Sequence, residues 1–319
     1  MAKVIAVCNQ KGGVGKTTTS VNLSAALALS GSKTLLIDLD PQANATSGVG
    51  VDKRSVSCSI YHVLLEGTPL DSAVRATKVP NLWLVPSQVA LAGSEVELVN
   101  TSSREEKLKQ GLAALTTEYD QILIDCPPSL GLLTINALTA ADSVLIPLQC
   151  EYYALEGLSQ LLETIQLVQQ VLNPRLTVEG VLLTMADFRT KLTADVIEEV
   201  RKFFGSRVYD LVIPRSVRLS EAPSHGLPIA LYDANSSGAR AYRTLAEKVT
   251  RSVIQRPEAE GSHKENLNVG DSGIGQRDPG PDSGSNTSLG EIGSGTPGSG
   301  DAGASGGDSA QSVSASAED

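Results

Sequence analysis

Residues 8–20 read Cys-Asn-Gln-Lys-Gly-Gly-Val-Gly-Lys-Thr-Thr-Thr-Ser, between the apolar run Lys3–Cys8 and the helix-like stretch Lys16–Leu29. Gly12, Gly13 and Gly15 let a backbone curl tightly enough to turn successive N–H groups inward. The helix start adds the positive end of its dipole, so the bend suits an anion. A glycine-rich surface turn with a solvated lysine would explain the glycines alone. It does not explain their conjunction with Gly15-Lys16-Thr17 between a strand and a helix.

The rest of the chain keeps that alternation. Strand-like runs fall at Lys3–Cys8, Thr34–Asp38, Leu82–Val85, Gln121–Asp125, Ser143–Pro147, Val178–Thr184 and Val208–Ile213. Helix-like stretches separate them at Lys16–Leu29, Arg104–Thr117, Ala154–Leu172, Thr193–Phe204 and Ser236–Ile254. Several strands are apolar on both faces, as a sheet covered on both sides requires. The fold class predicted is α/β: a doubly wound, mostly parallel sheet with helices on both faces. Ligands of such sheets sit beyond the carboxyl ends of the strands. Three of those ends carry Asn9–Thr18, Asp38–Asn44 and Asp125–Ser129.

The bend is read as a phosphate loop for ATP with Mg²⁺. Main-chain groups from Lys11 through Gly12, Gly13, Val14, Gly15 and Lys16 to Thr17 and Thr18 would cradle the phosphates. Lys16 would reach the β and γ phosphates, and the Thr17 hydroxyl would ligate the metal. The ordinary pattern GxxxxGK[ST] is met imperfectly, because Gln10 stands at its first position and Lys11 adds a second cation. Two strand-end carboxylates complete the set: Asp40 in Ile37–Gln42 and Asp125 in Gln121–Ser129. Either could hold Mg²⁺ through water or orient an attacking water. A single Asp after a strand is commonly only a turn or cap residue. Two of them in a chain with the loop favour function.

The motifs NQKGGVGKTT, LLIDLDPQANATSG, ILIDCPPSLGLLTINAL, PLQCEYYALEGL and VIPRSVRLSEAPSHG resemble those of the deviant Walker A ATPases, and within them the ParA/Soj partitioning proteins. The resemblance covers about residues 2–254. It implies an ATPase that pairs face to face as a homodimer in its ATP state. Such proteins bind double-stranded DNA without sequence preference and hydrolyse ATP slowly, faster with a ParB-type partner. By resemblance, Lys11 is the signature lysine that crosses to the other subunit's phosphates. Asp40 positions the attacking water, Asp125 is the second carboxylate near Mg²⁺, and Gly12 lets two monomers approach. The same resemblance places adenine near Met185 and Pro214. It places DNA on Arg189 and Arg218, with Arg215, Arg201 and Lys202 as weaker candidates, since a lone surface cation is as often only solvated. Two features depart from the family pattern. Asp233–Gly238 and Leu227 lack basic residues that relatives often place nearby, and a long acidic tail follows.

Pro257–Asp319 holds eleven acidic and two basic residues, which accounts for nine of the chain's ten net negative charges. The body at 1–256 is therefore close to neutral and open to a local basic face. Residues 257–319 are rich in Gly, Ser, Asp and Pro, and are read as a disordered tail after a single ATPase domain. Cys8, Cys58, Cys126 and Cys150 form no CxxC pair and read as buried, reduced thiols. The amino end opens directly into a strand, without a signal peptide, so a cytoplasmic, nucleoid-associated protein is expected. An N-terminal helix-turn-helix, such as self-repressing plasmid relatives carry, is not expected.

The competing reading is a MinD-like division-site ATPase bound to membrane by a basic amphipathic helix. Ser236–Ile254 carries Arg240, Arg243, Lys248 and Arg251 but only Tyr242 as an aromatic anchor, and acidic chain follows. No membrane association is expected. An iron–sulfur protein of the nitrogenase-reductase type would need a cysteine partner for Cys126 at a suitable spacing, and none is evident.

Overall fold

The computed structural model describes residues 1–151 and 158–254. In chain order, β1 (Lys3–Val7) runs through the glycine bend into α1 (Lys16–Leu29) and β2 (Thr34–Asp38). Next come α2 (Asn44–Gly48), α3 (Ile60–Glu66), β3 (Arg75–Ala76), β4 (Leu82–Val85), α4 (Ser94–Leu98), α5 (Lys107–Leu112) and β5 (Gln121–Asp125). Then follow α6 (Leu132–Ala140), β6 (Ser143–Gln149), α7 (Leu158–Val171), β7 (Thr177–Ala186) and α8 (Lys191–Phe204). The last elements are β8 (Val208–Pro214), α9 (Val217–Glu221), α10 (Ile229–Tyr232) and α11 (Ser237–Ile254).

Among the described residues the strands form one sheet in the order β3-β4-β2-β5-β1-β6-β7-β8. All pairs are parallel except β3 with β4. Strand side chains alternate between faces, and the core divides accordingly. Val4, Ala6, Leu35, Ile37, Ile122 and Ile124 pack with α3, α5, α6, α7 and α8. Ile5, Val7, Leu36, Leu123 and Leu145 pack with α1 and α11 on the other side. Each fully buried aliphatic side chain contributes roughly 1.5–3 kcal/mol. The doubly wound architecture expected from the sequence is the one observed.

The details differ in instructive ways. The two-residue edge strand β3 was not foreseen, so Gln121–Asp125 is the fifth strand in sequence rather than the fourth. The stretch Arg104–Thr117 contracts to α5. The Asn136 side chain takes its place at the amino end, accepting from Leu108 N at 3.1 Å and donating to Arg104 O at 2.7 Å. Helix α6 escaped notice because Leu133, Thr134, Asn136, Ala137, Leu138 and Thr139 are all buried, leaving no amphipathic stripe to read. The start of the stretch Ala154–Leu172, and the tail with its boundary at 256/257, lie outside the described residues.

Helix α11 uses its apolar side in the core. Ala239, Tyr242, Leu245, Ala246 and Val249 are buried against the α1 side of the sheet, and Tyr242 Oη lies 3.2 Å from Thr19 Oγ1. No helix among the described residues is long and apolar enough to cross a membrane.

Candidate functional site

Register gathers the strand tips. Val7 pairs with Asp125, and Asp125 with Asp38, so β1, β5 and β2 end side by side beneath the glycine bend. Gly13 and Gly15 take φ of 76° and 89°, the left-handed region where a side chain is strained. A Cβ on Gly12 or Gly13 would meet nothing within 4 Å, so the bend opens outward on that side. Its underside is tied down. Asn9 donates Nδ2–H to Pro147 O at 2.7 Å and accepts from Lys11 N at 2.9 Å. Thr184 Oγ1, at the end of β7, donates to Val14 O at 2.8 Å.

Met185 follows Thr184 with φ of 53°, unusual for a residue other than glycine and a mark of functional positions. Its Cε lies 3.8 Å from where a Gly15 Cβ would stand. Pro214 ends β8 and pairs with Ala186. The structure thus brings Met185 to the loop and Pro214 one strand further out.

Beneath the bend lies a concentrated charge set. Lys16 is buried, and its Nζ donates to the Lys11 carbonyl at 3.1 Å. Burial lowers its pKa, while Asp125 chiefly opposes that shift. Asp125 is fully buried; one carboxylate oxygen accepts from Ser20 Oγ at 2.7 Å and the other has no partner. Burial above all, then the Asp38 charge, pushes Asp125 up to about 8 against the Ser20 and Thr17 hydroxyls. Asp38, also fully buried, accepts from Thr46 N and Oγ1 at 2.7 Å each and from Asp40 N at 3.2 Å. Its burial raises it to about 6, with the Thr46 bonds opposing. Asp40 is buried and accepts from Gln42 N at 2.9 Å.

These residues fit a magnesium nucleotide. The bend has an open mouth, Lys16 supplies a buried cation, and Asp125 presents a buried oxygen lacking a partner. No group of three or more His, Cys, Asp or Glu among the described residues is arranged to hold a metal by itself. A magnesium ion there would complete its shell with phosphate oxygens and water, as this ion usually does.

The remaining sequence candidates divide. Lys11 is partly exposed, and its ammonium pairs with Glu151 at 3.3 Å. Arg189 and Arg215 lie near one another: Arg215 N donates to Ala186 O at 3.0 Å, and both guanidinium groups act on Asp187. Arg189 pairs with Asp187 at 2.6 Å, and Arg218 with Glu221 at 3.1 Å and Asp233 at 3.8 Å. Arg201 and Lys202 sit in the last turn of α8, about 15 Å along the helix from the Arg189 end, where Lys202 pairs with Glu198. Sequence reasoning placed Asn9 and Asp38 at strand ends without giving either a role, and passed over Thr46, Ser20 and Thr184. Asp38 was visible in Ile-Asp-Leu-Asp; the others act through hydrogen bonds that no motif spacing announces.

Fold and site together define a P-loop ATPase with a second lysine at the head of its loop. The family profile described as "AAA domain" matches residues 2–178. The sporulation initiation inhibitor protein Soj of Bacillus subtilis is 61% identical over 249 residues, covering 78% of this chain and 98% of Soj. The chromosome partitioning protein ParA of Myxococcus xanthus is 53% identical over 251 residues, covering 79% and 89%. A crystal structure of cobyrinic acid a,c-diamide synthase from Mycobacterium smegmatis with bound ATP analogue and magnesium is 40% identical, with a TM-score of 0.72 over 80% of this chain and 97% of that one. The chain belongs to the ParA/Soj family of ATPases, and ATP and Mg²⁺ are its ligands.

Proposed function

We propose that the chain is an ATP-driven DNA-partitioning switch. Its ATP form pairs as a face-to-face homodimer, holds double-stranded DNA without sequence preference, and hydrolyses ATP when a ParB-type partner stimulates it. The names of the Soj and ParA relatives support a partitioning role. The observation that carries the reading is Lys11. Lys16 already occupies the chain's own bend, whereas the Lys11 ammonium reaches Glu151 at a partly exposed position. A cation so placed can be handed to a second subunit's phosphates, where charge builds during transfer. A Cβ on Gly12 would meet nothing within 4 Å, which leaves room for that approach.

Within the site, Thr17, Asp40 and Asp125 are assigned to the metal and its waters, with Asp40 orienting the attacking water. Main-chain groups from Lys11 to Thr18 are assigned to the phosphates, and Met185 with Pro214 to the adenine side. Arg189, Arg215 and Arg218 form the proposed DNA face, with Arg201 and Lys202 further along α8. Each of Arg189, Arg218 and Lys202 has a carboxylate partner that a DNA phosphate must displace, so the affinity should be modest and fall steeply with salt. On this reading the protein works in the cytoplasm on the nucleoid, segregating a chromosome or plasmid. The packed apolar face of α11 speaks against that helix serving as a membrane anchor.

The test measures dimerisation, DNA retention and ATP turnover with and without DNA and a ParB-type amino-terminal peptide. The variant Arg189→Glu with Arg218→Glu should dimerise with ATP yet lose DNA. Undiminished DNA retention in that variant would place the DNA face elsewhere. A chain that stays monomeric at saturating ATP would end the proposal.

A further inference from the structure

Two buried thiols meet directly under the nucleotide loop. Cys8 follows the last residue of β1 and Cys126 the last of β5, one step beyond the register pair Val7–Asp125. Cys8 N donates to Leu145 O at 3.1 Å and Cys126 N to Val7 O at 3.3 Å. Parallel neighbours in register place their side chains on the same face, and both cysteines belong to the core layer shared with α6. Their sulfurs are 2.8 Å apart, with both residues free thiols and almost wholly buried. Asn9, which anchors the loop, is the next residue after Cys8. Asp125, with its partnerless oxygen, immediately precedes Cys126. Neither thiol has a part in the nucleotide chemistry assigned above.

We propose that Cys8 and Cys126 form a reversible disulfide under peroxide, and that this bond switches the ATPase off. The Cys8 sulfur gives up its proton and attacks one oxygen of hydrogen peroxide. The O–O bond breaks, and the departing hydroxide takes that proton as water, leaving a sulfenic acid on Cys8. The Cys126 sulfur then attacks Cys8, the S–S bond forms, the S–O bond breaks, and hydroxide leaves as a second water with the Cys126 proton. The two thiols lose two electrons and the peroxide gains them. The Lys16 ammonium lies within electrostatic range of both sulfurs, so a thiolate there has a cation close by. Closing from 2.8 Å to a bond of about 2 Å draws the β1 and β5 tips together. Misplacing reacting groups by about 1 Å costs up to roughly a hundredfold in rate.

The test treats the full-length, reduced protein with hydrogen peroxide and follows Mg-ATP turnover alongside mass mapping of linked peptides. The expected result is a cross-link joining Cys8 to Cys126, turnover down by roughly ten- to a hundredfold, and recovery with dithiothreitol. Cys8→Ala should keep its basal turnover and resist peroxide, and Cys126→Ser serves as the second resistant variant. Absence of the cross-linked peptide would overturn the proposal. So would a cross-link that leaves turnover unchanged, or an equal loss in both variants, which would trace the effect to Cys58 or Cys150.

Discussion

Thr184→Val isolates one hydrogen bond that shapes the nucleotide loop. Thr184 is 2% exposed and its hydroxyl donates to the Val14 carbonyl at 2.8 Å. Valine has nearly the same shape, so packing is kept and only the donor is removed. Val14 is itself 1% exposed, so its carbonyl is left buried without that bond, at a cost of about 1–3 kcal/mol. A body of this size, residues 1–256, should lose roughly 2–4 °C of melting temperature per kcal/mol. The loop can relieve the cost by turning Val14 O toward water, and ATP must then reverse that turn on binding. A penalty near the middle of the range, about 2 kcal/mol, corresponds to roughly thirtyfold weaker ATP binding. Nucleotide titration and thermal melts on wild type, Thr184→Val and Thr184→Ser would measure it, with serine restoring both. If the valine variant melts early yet binds ATP like wild type, Thr184 does not hold the loop in its binding shape.

Lys16→Ala should weaken ATP binding by at least roughly a hundredfold, and tight binding in a titration would count against the loop assignment. Asp40→Ala should leave a long-lived ATP dimer with little turnover, and normal phosphate release would remove Asp40 from its role. Asp125, pushed up to about 8, is mostly protonated in the empty site at neutral pH, whereas a magnesium ion favours its carboxylate. Binding of the magnesium nucleotide should therefore release a proton, and affinity should fall as pH drops below about 8, by up to about tenfold per pH unit. The same raised pKa stabilises the empty fold at low pH, and that contribution is lost as pH rises through about 8. Calorimetry in buffers of different ionisation enthalpy reads the proton, and an unchanged pH slope in Asp125→Asn would refute the assignment. Removing residues 257–319 should leave the melting temperature of the body almost unaltered, and a large fall would contradict the reading of that segment as a tail.

The amino-acid order alone settled the class of fold and the identity of the loop. Both rest on local physics: glycines that permit a bend, β-branched runs of strand length, and a lysine and threonine at a helix start. The strand ends at Asp38–Asp40 and Asp125 were legible for the same reason, since each sits where an apolar run stops. Where signals were not local, the reading failed. Helix α6 has no polar face to give it away, and β3 is too short to carry a period. Only the tertiary structure could decide that Asp38 and Asp125 share one buried charge set, that Thr184 and Asn9 hold the loop from below, and that Cys8 touches Cys126. Those partners stand between 80 and 180 residues apart in sequence, and they meet because the sheet order inserts β5 between β1 and β2 and sets β6 and β7 beyond β1. That order follows from burying two opposite apolar faces at once, a condition no single stretch of chain can express.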